Sequence, residues 1–461
     1  MKQSDGQTLA SDSRRQALAA AIWAVSAAFG CYFCMYAFRK PFTAAAFGGP
    51  DVWGHSFKAL LITSQVAGYM VSKFIGVKVI SEMPAHSRPR TIFALILAAE
   101  FALLLFAIVP RPWNWVCMFL NGLPLGMVFG LVLGQLEGRR STEALTAGLC
   151  ASFILADGVT KSVGTWLLNW NVPEQWMPFT AGALFLLPLT VCVLMLAQVE
   201  PPTSADRAQR CQRVALDRAQ RWSLFRRFAI GLVPLVVMYL IVTVLRSIRA
   251  DFQPELWRGM GVDSPPAIFT QSEIYVALFV LCINGGAVFI RNNAVAFRIS
   301  LATCLLGIAI LALALIAWRN NALSGFAFMV LLGQGLYLPY VAVHTTIFER
   351  LLAMTRAPGN IGFLMYAADA VGYLGYVAVM LTRNFGEVDT GHTDVFAFFL
   401  EAAWIGAGLC AVCLVISWIY FTMFCDTATE EVSAIRDDAP QSTNVVAAQK
   451  PNNTPGLESG I

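Results

Sequence analysis

The sequence predicts an all-α membrane protein with twelve transmembrane helices in two halves of six. Three observations carry this expectation. Hydrophobic residues make up 57% of the 461, and Asp, Glu, Lys and Arg only 13%, where a soluble domain carries about 25% charged residues. The apolar residues fall in long runs, and a helix needs about 20 of them to cross a bilayer core. One polar joint is longer than the rest and divides the runs evenly.

Taken in order, the spans are expected at 17–44, 57–81, 91–110, 113–136, 142–168, 174–198, 228–250, 268–291, 296–318, 323–349, 358–382 and 395–424. Ala44-Ala45-Ala46 looks like a signal-cleavage region. Arg39-Lys40 lies just before it and the preceding run is too long for a signal core, so the first span is expected to be retained. Residues 1–16 form a polar N-terminal segment, 17–198 the first half, 199–227 a basic linker, 228–424 the second half, and 425–461 an acidic tail expected to be disordered. The linker holds seven Arg and a helical run with Trp222. It reads either as a helix lying on anionic headgroups or as a solvated connection.

With the N-terminus inside, nineteen Lys and Arg fall on the cytoplasmic side and seven on the other. That bias predicts a multi-pass protein of the plasma (inner) membrane with both termini cytoplasmic. Six spans, a loop and six spans is the layout of a transporter built from two halves.

Composition excludes other classes. Too little charge is present to cover a soluble enzyme, and a net charge of +4 makes no footprint for nucleic acid. Ten of the eleven Cys lie in or beside apolar runs and read as free thiols acting as small hydrophobes. The four His show no metal spacing, and no phosphate-cradling loop or nucleophile constellation is present. Neither a metal, a cofactor nor an enzymatic activity is expected.

Charges inside spans are expensive, so they mark candidate functional residues. Span 1 has Tyr32, Tyr36 and Arg39 at i, i+4, i+7, on one helix face. A guanidinium offers a planar fork matched to phosphate or carboxylate. Arg39 lies late in its run, so snorkelling to the interface is the alternative, and Pro41 is expected to kink the helix there. Span 2 carries Tyr69 and Lys73 on one face, and span 7 ends in Arg246. Span 10 has Tyr337, Tyr340 and His344, and span 11 has Tyr366, Asp369, Tyr373 and Tyr376, each set at helical spacing. Such stripes face a cavity or another helix; interhelical hydrogen bonding alone is the plainer alternative. Asp157 and Lys161 stand at i, i+4 and read first as a self-neutralising pair. Glu100 has no local partner. Arg39, Lys73, Lys161 and Arg246 outnumber Asp157 and Asp369, so a central cavity is expected to want an anion. Asp157, Lys161, Asp369 and His344 are candidates for coupling.

These residues resemble a known family. Tyr36-Ala-Phe-Arg39-Lys40-Pro-Phe is similar to the Tyr-x-x-Arg-Lys-x-Phe of the organophosphate:phosphate antiporters, within the major facilitator superfamily. Gly68-Tyr69-Met-Val-Ser72-Lys73-Phe74, Leu245-Arg246-x-x-x-x-Asp251-Phe-x-Pro254 and Gly372-Tyr373-Leu374-Gly375 resemble its motifs in spans 2, 7 and 11. Span 5 carries Ser152, Asp157 and Lys161 where that family has a histidine. The resemblance implies a bacterial branch of the family and a monomer of major facilitator type. It implies that Arg39 and Arg246 bind the substrate anion between the halves, with Lys73, Tyr32, Tyr36, Tyr69 and Tyr373 lining the cavity. The expected function is secondary active transport of a small organic anion by alternating access. Two alternatives are a transport-like sensor of a phosphorylated ligand and a proton-coupled symporter of another substrate.

Overall fold

The computed structural model describes residues 2–48, 52–53, 55–136, 142–199, 218–263, 265–286, 290, 292–355, 361–385 and 394–437. The first half contains α1 (Lys2–Met35), α2 (Phe57–Glu82), α3 (Arg88–Ile108), α4 (Trp115–Leu136), α5 (Thr142–Asn169) and α6 (Met177–Ala197). The second contains α7 (Arg218–Asp251), a short α8 (Gln253–Gly259), α9 (Pro266–Gly286), α10 (Asn293–Arg319), α11 (Gly325–Ala342), a short α12 (Phe348–Thr355), α13 (Ile361–Phe385) and α14 (Val395–Asp437). One π turn, Val343–Ile347, joins α11 to α12.

Among the described residues, nine helices are long and apolar enough to cross a membrane. The other three long helices are α2, α5 and α13. These carry Lys73, the Asp157–Lys161 pair and Asp369. Large apolar side chains point outward, among them Leu187, Ile230, Leu313 and Ile405. Charged side chains are buried inside. This inverts a soluble protein's distribution and suits a lipid surround.

Local chemistry sets the helix ends. Asn171 and Asn321 take left-handed φ values of 61° and 54° just past α5 and α10. Each lets the following amide reach back, Val172 to the Leu167 carbonyl at 3.1 Å and Ala322 to the Ala317 carbonyl at 2.9 Å. Both helices therefore end in the same carbonyl-satisfying cap. Asn292 caps α10 by accepting from the Ala294 and Val295 amides.

The first span is interrupted near Pro41, where a kink is expected, but the interruption is a full break that starts earlier, after Met35. The helix stops at Met35, and two 3₁₀ turns, Tyr36–Phe38 and Pro41–Ala44, replace the end of the 17–44 run. Pro41 has no N–H to continue an α-helix. Arg39 and Lys40 sit in the break between the turns. At the other end of the chain the last helix runs on to Asp437, past residue 424. Most of the 199–227 linker (200–217) and residues 438–461 lie outside the described residues, as do Arg139, Arg140, Arg291, Arg356 and the Tyr366 side chain.

Close packing within each half depends on glycine. A Cβ on Gly68 of α2 would stand 2.2 Å from the Phe119 carbonyl oxygen, and one on Gly122 of α4 would stand 2.1 Å from that of Gln65. Gly307 and Gly335 bring α10 and α11 together in the same way. Between the halves, α2 packs on α13 and α5 on α9. That seam is where the buried charges collect.

Candidate functional site

Arg39 enters the seam from the first half, held by the broken end of α1. Its carbonyl accepts from Gln65 at 3.1 Å, and Gln65 also donates to Asn121 at 2.7 Å. The guanidinium carbon lies 4.0 Å from the Tyr69 ring centroid, 5.8 Å from Tyr373 and 5.9 Å from Tyr36. Arg246 enters from α7 of the second half. Its guanidinium carbon is 4.2 Å from the Tyr340 centroid and 5.7 Å from Tyr337, and Nη2 donates to the Tyr373 hydroxyl at 3.4 Å. Tyr373 thus touches both arginines, and its ring packs on Tyr69 at 4.8 Å. Each arginine is only 4% exposed. Arg39 does not snorkel outward.

Tyr32 and Tyr36 stand edge to face at 5.6 Å, and Tyr32 packs on Phe129 and Phe153. Lys73 reaches across the seam to Asp369 at 2.8 Å. Asp369 also accepts from the Tyr239 hydroxyl and has His344 Nε2 at 3.5 Å. All eleven sequence-predicted residues therefore lie along one buried seam. They fall into three groups.

The third group holds the expected Asp157–Lys161 pair, at 2.6 Å, and it is larger than a self-neutralising pair. Lys161 also donates to Gln253 at 2.9 Å, Lys40 lies 3.9 Å from Asp157, and Lys40 donates to Asp251. Asp251 accepts from Tyr376 at 2.9 Å. Gln253 donates to Glu273 at 3.2 Å, and Glu273 pairs with Arg249 at 2.9 Å. Beside this chain, Lys58 pairs with Glu255 at 2.6 Å. Lys40, Lys58 and Lys161 belong to the first half; Asp251, Glu255 and Gln253 belong to the second.

Sequence reasoning missed Lys40, Lys58, Tyr239, Arg249, Asp251 and Glu273 as interior residues, and the partly exposed Glu255 as a partner of Lys58. Glu273 had a signal, a carboxylate inside span 8. Tyr239 had one too, because it precedes Arg246 by seven residues, as Tyr32 precedes Arg39. The count of four cations against two anions needs correcting. Seven Lys and Arg side chains are buried among the described residues. Five of them have a carboxylate within 4.0 Å. Arg39 and Arg246 are the two that do not.

Glu100 is buried on α3, and both carboxyl oxygens lack a hydrogen-bond partner. The nine cysteines with described side chains are free thiols. Cys211 and the Cys425 side chain lie outside the described residues. No group of His, Cys, Asp and Glu suited to a metal ion occurs among the described residues.

The fold is that of an α-helical membrane protein of major facilitator type. A solved structure of a D-xylose-proton symporter matches it with a TM-score of 0.57, covering 86% of this chain and 96% of that one at 13% identity. The chain belongs to a family of unknown function (DUF5690), which it matches over residues 41–423. No curated protein sequence matches it.

Proposed function

We propose that this protein is a secondary transporter that carries a small organic anion by alternating access, with Arg39 and Arg246 as its binding pair. One observation carries the proposal: among the described residues these are the two buried Lys or Arg side chains with no carboxylate within 4.0 Å. An uncompensated charge is costly to bury. Tyrosine faces offset part of that cost, about 2 kcal/mol or more for each desolvated contact. An anion bridging the two forks would offset the rest and draw the halves together. Without it, closure would bring two positive charges to one tyrosine. Two guanidinium forks suit a planar or tetrahedral oxyanion such as a carboxylate or a phosphate ester. The motifs shared with organophosphate:phosphate antiporters favour the phosphate ester. On this reading Lys73, Tyr32, Tyr36, Tyr69 and Tyr373 line the substrate path. The protein is read as a monomer of the plasma (inner) membrane with both termini cytoplasmic; reporters fused to each end test the orientation.

The test is a thermal-shift series on purified protein with inorganic phosphate, glycerol phosphate, sugar phosphates and carboxylates, followed by uptake into proteoliposomes. A ligand at a hundred times its Kd adds about 2.7 kcal/mol of stability. Stabilisation by one of these anions, lost in Arg39→Lys and Arg246→Lys, is expected. Undiminished uptake by either variant overturns the site.

A further inference from the structure

Beside the arginine pair lies a histidine whose surroundings constrain its protons. His344 sits in the π turn after α11, and its Nδ1 lies 3.0 Å from the Tyr340 carbonyl oxygen. A carbonyl only accepts, so Nδ1 carries a hydrogen and donates it there. In a neutral ring Nε2 is then the bare acceptor. Nε2 faces Asp369 Oδ1 at 3.5 Å. A bare nitrogen opposite a carboxylate oxygen sets two lone pairs against each other. A proton between them, on the imidazole or on the carboxyl, turns that repulsion into a hydrogen bond.

The other neighbours narrow its role. Lys73 of α2 holds Asp369 Oδ2 at 2.8 Å from across the seam. Tyr239 of α7 donates to Oδ1, and its hydroxyl lies 3.5 Å from Nε2. Tyr69 and Tyr373 lie near Asp369, as does Cys150 of α5. Phe129 of α4 presents its ring at 5.7 Å from the imidazole. Tyr340 packs on the imidazole at 4.6 Å and on Arg246 at 4.2 Å, so one ring joins this cluster to the arginine pair.

We propose that His344 and Asp369 form a proton-binding site in which the protonated imidazole competes with Lys73 for the Asp369 carboxylate. Proton uptake at Nε2 makes an imidazolium that donates to Oδ1 and weakens the hold of Lys73 on the same group. The tie between α2 and α13 loosens, and proton binding is linked to the movement of the halves. The proposal rests on the carrier reading for its purpose, which makes the coupling ion a proton. Its chemistry stands on the cluster alone.

The test is a pH titration of full-length, ¹⁵N-histidine-labelled protein in detergent micelles, followed by NMR. The chain has four histidines, and the His344 signals are those absent from His344→Gln. Nε2 is expected to titrate while Nδ1 keeps its hydrogen. Asp369→Asn is expected to lower the midpoint by about one pH unit or more, and Lys73→Met to raise it by a similar amount. Lys73→Arg, which keeps the competing charge, should stay close to wild type. If Asp369→Asn fails to fold, Lys73→Met and Lys73→Arg probe the same pair from the other side. A midpoint indifferent to the Lys73 and Asp369 substitutions, or titration at Nδ1, overturns the proposal. Calorimetric titration with inorganic phosphate in two buffers of different ionisation enthalpy then separates the two ideas. Absent phosphate binding counts against the anion site and leaves the histidine result standing; binding without proton exchange overturns the linkage.

Discussion

Arg39 and Arg246 each lie over a tyrosine face, and that geometry decides what a substitution does. Lysine keeps the charge but loses the planar fork and the flat stacking surface. Phosphate binding is therefore expected to weaken at least tenfold, about 1.4 kcal/mol, in Arg39→Lys and in Arg246→Lys, read by calorimetry on purified protein. A different outcome is expected at Lys40. It and Asp251 are both buried, with side chains 5% exposed. Lys40→Met leaves Asp251 with Tyr376 and only the more distant charges of Arg39 and Lys161, where a fully stranded buried partner would cost about 3–5 kcal/mol. Adding Asp251→Asn to Lys40→Met should recover most of it, since no bare charge remains. Thermal unfolding in detergent reads both. These two cases also show what the sequence made legible at this scale. Arg39 and Arg246 were visible because each sits in a motif and a charged side chain is rare in a span. The Lys40–Asp251 pair was not, because its members lie 211 positions apart and only the docking of the halves makes them neighbours.

The helices followed from hydropathy, but their ends and contacts did not. A run of apolar residues from 17 to 44 looks like one span, whereas Pro41 and the preceding turns divide it. The break sets the direction of Arg39; Pro41 marked it in the sequence, although apolar periodicity did not. The α2–α4 contact is equally silent in hydropathy. A Cβ on Gly122 meets the Gln65 carbonyl oxygen at 2.1 Å, which no rotamer change relieves because the obstacle is backbone. Gly122→Ala must push α4 off α2, displacing Asn121, which donates to the Phe38 and Ala99 carbonyls at 3.1 and 3.0 Å. The expected result is a loss of about 1–3 kcal/mol, as for overpacked cores, together with weaker anion binding through a misplaced Arg39. Gly408→Ala, whose Cβ meets nothing within 4 Å, is the control. Equal melting of the two variants would mean that α2 and α4 can separate without cost.

Across the whole molecule the ties between halves are unevenly placed. Lys40, Lys58 and Lys161 reach Asp251, Glu255 and Gln253 where the broken end of α1 meets the end of α7 and the short α8. Towards the π turn the seam is closed by rings: Phe153 lies 6.1 Å from Tyr337 and 5.7 Å from Tyr340, and Phe129 lies 5.7 Å from His344. One end is thus held by a cluster of ion pairs, and the other mainly by aromatic contacts beside the Lys73–Asp369 pair. Ion pairs weaken steeply when one partner is removed, whereas ring contacts are each worth about 0.5–1.5 kcal/mol and fail one by one. The two ends cannot both open if the halves rock as rigid bodies about the arginine pair. Removing charge ties at the first end should therefore shift the population towards a state open there and tighter at the ring end. Lys58→Met serves best, because its Glu255 partner is partly exposed and is left less stranded than a buried acid. Hydrogen exchange on the full chain in micelles is expected to speed up in 36–47 and 252–262 and to slow in 337–350. Restoring the pair in reverse, Lys58→Glu with Glu255→Lys, should return both regions towards wild-type rates. Faster exchange at both ends would indicate general loosening, and the rocking of two rigid halves would have to be abandoned.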